Sequence, residues 1–134
     1  MGPVILMDTN VVIGLVGGLL PAPAAEWLEA VMAGDTHHVS AVTRIELFSK
    51  QLGPSETATL AGFVQSTKMT GLEEPIIQRT IALRQQHKMK LPDILIVATA
   101  LVYNLLPVTR NLADFRNTPG LAVLNPPAPL SPLQ

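Results

Sequence analysis

"VILMDTN", residues 4–10, is the stretch on which the reading of the whole chain turns. Val4 to Met7 form a short, continuous apolar run. Such a run suits a strand covered on both faces, as in a parallel sheet. It stops abruptly at Asp8, and an acid directly after a buried strand tends to belong to a site. A second stretch raises the same point. In "LPDILIVATAL", residues 91–101, Pro92 suits the first turn of a helix, Asp93 stands at its mouth, and the apolar run that follows has to be buried.

Outward from these two stretches, strands alternate with helices. "PAPAAEWLEAVMAGD" reads as a helix, with prolines at its start, Trp27, Leu28, Val31 and Met32 at helical spacing, and Gly34 as its stop. "THHVS" reads as a strand and "SAVTRIELFSK" as a helix with Ser40 as candidate N-cap. "TATLAGFVQS" is helical, Lys68 to Leu72 a short strand, and "EEPIIQRTIALRQQHK" a helix. "LLPVT" and "LAVLN" are the last strands, and Pro107 argues against a central, fully hydrogen-bonded place for the first of them. The pattern predicts one α/β domain over residues 1–126: three layers, α/β/α, around a central, mainly parallel sheet. The proline-rich segment 127–134 is expected to be an extended tail.

Composition narrows the chemistry. The 134 residues are 48% hydrophobic and 14% charged, enough for an aliphatic core. Absence of cysteine excludes disulfides and thiolate zinc sites. No targeting or membrane-spanning segment is recognisable, so a soluble, cytoplasmic protein is expected. The net charge of −1 does not mark a nucleic-acid binder, yet six of the nine basic residues fall from Arg79 onward.

In parallel α/β sheets, sites form outside the carboxyl ends of the strands. Four acids are expected near such ends: Asp8, Glu46, Asp93 and Asp114. Each has an ordinary alternative when taken singly. Asp93 can complement a helix dipole, Glu46 can be a solvated helical glutamate, and Asp114 can be a turn residue. Taken together, crowded carboxylates repel one another, and a divalent cation removes that cost. Oxygen ligands favour Mg²⁺ or Mn²⁺ over zinc, and such an ion suits hydrolysis of a phosphodiester.

At this spacing the chain resembles PIN-domain proteins, most closely the VapC-type ribonuclease toxins of bacterial toxin–antitoxin pairs. The resemblance rests on "ILMDTNVVIGL", "VSAVTRIELF", "LPDILIVATAL" and "VTRNLADFRNTPGLAVLNP", in family order across nearly the whole chain. It implies a PIN-like fold and a metal-dependent endoribonuclease in which Asp8, Glu46, Asp93 and Asp114 hold Mg²⁺ or Mn²⁺, with Asp8 and Asp93 as the direct ligands. By the same resemblance Thr9, Asn10, Thr43, Thr109 and Asn111 support the carboxylates or the water. The implied substrate is RNA, with transfer RNA a reasonable target. The implied partners are a cognate antitoxin covering the cleft and a second copy in a homodimer.

Two departures bear on this. "LPD" replaces the smaller lead-in usual before the third acid, so the approach to Asp93 is stiffer. The low net charge leaves RNA grip to a local set: Arg84, Lys88, Lys90, Arg110 and Arg116. A solvated helical face is the plain alternative for "RQQHKMK". His37 and His38 adjoin on a strand and should point to opposite faces, and with His87 they make no metal-binding spacing. A haloacid-dehalogenase-like phosphatase would want an acid where Asn10 stands, and a phosphate-receiver domain would want paired acids near the first strand. A PIN fold used as a catalytically weak RNA- or protein-binding module is the non-enzyme alternative.

Overall fold

The apolar run becomes strand β1 (Ile5–Met7), which lies inside the sheet with a neighbour on each side. A computed structural model describes residues 4–34, 37–110 and Phe115 of the chain. The expected strand "LAVLN" and the tail at 127–134 lie outside the described residues. After β1 come α1 (Thr9–Val16), α2 (Ala22–Gly34), β2 (His38–Ser40), α3 (Ala41–Phe48) and α4 (Pro54–Gln65). Then follow β3 (Lys68–Thr70), α5 (Glu74–Gln86), α6 (Leu91–Tyr103) and β4 (Leu106–Val108).

The four described strands are parallel, in the order β3-β2-β1-β4. Leu6 of β1 aligns with Pro107 of β4. Among the described strands β4 is outermost, where a missing N–H is tolerated. Successive residues of β1 face opposite ways, as a strand requires. Ile5 and Met7 enter a cluster with Val11, Val12, Leu28 and Leu47. Leu6 enters another with Ile96, Val97, Ala100 and Phe115. Helices therefore cover both faces of the sheet, giving the expected three layers.

Helix α1 has no counterpart in the sequence reading. Val11, Val12 and Ile13 are β-branched and Gly14 is a weak helix former, so local propensity argues against a helix there. Burial overrides it. Val11 and Val12 are fully buried, and burying each such side chain contributes about 1.5–3 kcal/mol. Asp8 starts the helix as its N-cap, with extended backbone and its carboxylate accepting from Thr9 N–H.

Helix α6 is the buried helix expected from its sequence. Ile94 and every residue from Ile96 to Ala100 are buried. It ends at Asn104, whose φ of 54° is left-handed, a conformation asparagine tolerates better than branched residues. The turn delivers the chain into β4 beside the start of β1, where Leu106 N–H donates to the Val4 carbonyl at 2.9 Å. No helix among the described residues is long and apolar enough to cross a membrane.

Candidate active site

The carboxyl end of β1 is closed by two hydrogen bonds to the end of β4 and the residue after it. Asp8 N–H donates to the Val108 carbonyl at 3.0 Å. The Thr109 hydroxyl donates to Asp8 Oδ2 at 2.9 Å, and Thr9 N–H donates to Oδ1 at 2.7 Å. Asp8 is only 7% exposed, so these donors compensate a carboxylate that is largely removed from water.

Glu46 arrives from α3, which packs against both α1 and α6. The Thr9 hydroxyl donates to Glu46 Oε1 at 2.6 Å. A carboxylate oxygen accepts, so the single proton of Thr9 is committed to Glu46. The contact of 3.4 Å between the Thr9 and Thr43 hydroxyls is then one in which Thr43 donates. The Ser40 hydroxyl in turn donates to Thr43 Oγ1 at 3.3 Å, and Ser40 Oγ accepts from Thr43 N–H at 3.2 Å as the cap of α3. The result is one directed run of hydroxyls from Ser40 to Glu46. Thr43 and Thr9, two of the residues expected to support the carboxylates, both lie in this run. Ser40 adds a link that the sequence reading saw only as a cap. The signal was its spacing, three residues before Thr43 and six before Glu46.

Asp93 lies in the first turn of α6 and is half-buried. The direction of α6 fixes which end of the sheet it occupies. Its last turn stands near Val4, at the amino end of β1, and its 13 residues then run back about 20 Å antiparallel to β4. The helix therefore begins on the side where Asp8 and Glu46 lie. Asp114, Asn111 and Arg116 lie outside the described residues. Asn10 is exposed, and its side chain lines an open hollow with Arg110.

Arg84 sits in the last turn of α5, Lys88 follows it, and Lys90 caps the start of α6; all three are exposed. They cluster at the α5–α6 turn, the same end of α6 as Asp93. His38 is buried with Nδ1 3.5 Å from the Thr70 hydroxyl, and His37 meets Phe63 with ring centroids 6.2 Å apart.

The donor set can be tested against a cation. Among the described residues, no group of three or more His, Cys, Asp or Glu side chains could hold a metal ion by itself. A closed structural zinc cage is therefore not built from these residues. Asp8 and Glu46 are oxygen donors tied to the same residue, Thr9. This suits Mg²⁺, which usually keeps several waters and binds one or two carboxylates plus substrate phosphate oxygens.

Comparison with known proteins follows the geometry. The PIN domain family model matches residues 5–121. A toxin–antitoxin complex from Klebsiella pneumoniae contains a chain 29% identical, with a TM-score of 0.71, covering 93% of this chain and 99% of that one. FitAcB from Neisseria gonorrhoeae gives 25% identity and a TM-score of 0.71, covering 91% and 97%. VapBC2 from Rickettsia felis, bound to a promoter DNA fragment, shares the fold at 19% identity, with a TM-score of 0.80 and coverage of 91% and 98%. No curated protein matches the chain. With the family model spanning residues 5–121, the chain belongs to the PIN-domain family.

Proposed function

We propose that this chain is a VapC-like toxin of a type II toxin–antitoxin pair, acting as a metal-dependent endoribonuclease. The observation that carries the reading is the pair of bonds Thr109–Asp8 and Thr9–Glu46, which bring carboxylates from two separate elements to one end of the sheet. The similarity to a chain of the Klebsiella pneumoniae toxin–antitoxin complex supports the biological role.

Asp8, Glu46, Asp93 and Asp114 would hold Mg²⁺ or Mn²⁺. When bound, the ion polarises a phosphoryl oxygen and lowers the pKa of a coordinated water. The chain's own part is to orient the acids. Thr109 and the Thr9 N–H fix both oxygens of Asp8, and the hydroxyl run from Ser40 fixes Glu46. One carboxylate would take a proton from the attacking water as its oxygen bonds to phosphorus; the P–O3′ bond breaks and the departing oxygen takes up a proton from solvent, so the products carry a 5′-phosphate and a 3′-hydroxyl. Arg84, Lys88, Lys90, Arg110 and Arg116 would draw the RNA strand in, with transfer RNA the target suggested by family.

An antitoxin is the proposed partner. An apolar groove of about 420 Å³ between α1, α3 and α4, walled by Ile13, Val16, Leu47, Leu52 and Leu60, supports this reading. A homodimer is proposed as well, and exposed Ile77 and Ile81, one turn apart on α5, support it. The cytoplasm is the compartment where such a toxin would meet its RNA.

The test is cleavage of an RNA panel by purified protein with Mg²⁺, with Mn²⁺ and with chelator. Cleavage should require the cation and vanish in Asp8→Asn and Asp93→Asn chains that remain folded. Cleavage persisting in either variant, or in chelator, would sink the assignment. Folded protein that binds RNA without cutting it would point to the binding-module alternative.

A further inference from the structure

Between α1 and the residue that follows Thr109 lies a hollow of about 370 Å³ lined by Asn10, Ile13, Gly14, Leu19 and Arg110. Its position in the chain is informative. Asn10 follows Thr9, whose hydroxyl holds Glu46, and Arg110 follows Thr109, whose hydroxyl holds Asp8. The backbone that fixes the two carboxylates therefore also sets the two polar side chains of the hollow. One wall is apolar: Ile13 is half-buried and Leu19 is 69% exposed. Gly14 lets Leu20 and Arg110 pack close against α1. A Cβ there would lie 2.8 Å from Leu20 Cδ2 and 3.5 Å from Arg110 Nη1, so the guanidinium already rests across α1.

We propose that this hollow is a nucleotide subsite, seating a nucleoside 5′-phosphate unit of the RNA strand next to the bond that the acids address. The inference rests on the nuclease reading for its substrate and adds where the strand is gripped. A strand entering beside Asp8 and Glu46 meets like charge, and Arg110 is a cation of the hollow that can offset it. Its planar fork matches a phosphate bidentately, as a lysine cannot. Ile13 and Leu19 offer an apolar surface to the face of a base, a contact that nucleobase pockets use. The Asn10 amide both donates and accepts, so it can read a base edge. The volume is near the lower end of small-ligand sites, roughly 300–1,000 Å³, which is room for one nucleotide.

The 134-residue chain, free of metal, is titrated with each of the four nucleoside 5′-monophosphates while methyl resonances of Ile13 and Leu19 are followed. The subsite predicts saturable shifts at both, weakened about tenfold to a hundredfold in Arg110→Gln. In RNA cleavage the same variant should raise KM by a similar factor with kcat nearly unchanged, and Asn10→Ala should alter which base is preferred. Asn10 and Arg110 are exposed, so these substitutions do not threaten the fold. Absent shifts together with an unchanged KM overturn the proposal. Shifts with an unchanged KM also overturn it, because they assign the hollow to a free nucleotide. A wild-type chain inert towards every RNA would remove the nuclease reading, and absent methyl shifts would then remove the subsite separately.

Discussion

Thr9 donates its hydroxyl to Glu46 across 37 positions of sequence, at 2.6 Å. The bond joins the first residue of α1 to the middle of α3. It makes the orientation of one acid depend on the helix that the other acid caps.

Replacing Thr9 by valine keeps the shape and removes the hydroxyl. The loss of a hydrogen bond to a charged group, about 1.5–3 kcal/mol, should appear as a fall in kcat of roughly tenfold to a hundredfold. Thr9→Ser should retain most of the activity. Single-turnover RNA cleavage alongside urea midpoints checks this, and equal rates for the valine and serine chains would contradict it.

Thr109 is fully buried, so Thr109→Val removes a donor from Asp8 where water cannot easily replace it. Stability should fall by about 1–3 kcal/mol. The same substitution made on an Asp8→Asn background should cost less, because the charge it served is gone. Denaturant unfolding of all four chains gives the coupling directly, and strict additivity would dissociate the two residues.

Ile94 is completely buried and adjoins Asp93. Ile94→Ala should cost about 2–5 kcal/mol and Ile94→Val about 0.5–1.5. Because the apolar side of α6 seats the turn that carries Asp93, the alanine chain should also lose cleavage rate while still folded. Urea midpoints at constant m-value measure the first effect, and rates well below the transition measure the second.

Asn104 carries the one described positive φ outside glycine. A valine there should lower stability by about 1–2 kcal/mol, whereas Asn104→Gly should be close to neutral. Thermal midpoints of the two variants should separate clearly, and coincident midpoints would contradict the role given to this turn.

Much of this was legible in the residues. Apolar runs of strand length followed by amphipathic stretches read directly as alternating layers, and the observed strands fall inside "VILM", "THHVS", residues 68–72 and "LLPVT". Pro107 signalled an outer strand, and β4 is outermost among those described. Helix α1 was hidden, because "VVIGLVGG" has strand-like branching and three glycines, and only contact with the sheet makes it helical. The acids stood out because charge after a buried run is rare. What held them did not: the bonds of Thr109 to Asp8 and Thr9 to Glu46 join residues 101 and 37 positions apart, a pairing that no local pattern encodes. The supporting role expected of Asn10 came from the family resemblance, and the structure adds that Asn10 lines the hollow with Arg110.

The gap of 101 positions between Thr109 and Asp8 reaches beyond stability. During synthesis β1 emerges early, and its partner β4 is made only at residues 106–108. Until then a nascent chain has neither the hydroxyl that steadies Asp8 nor the strand that seats α6. Under the proposed nuclease function this is a built-in delay, because a chain that stops short of β4 lacks the contacts that hold the site together.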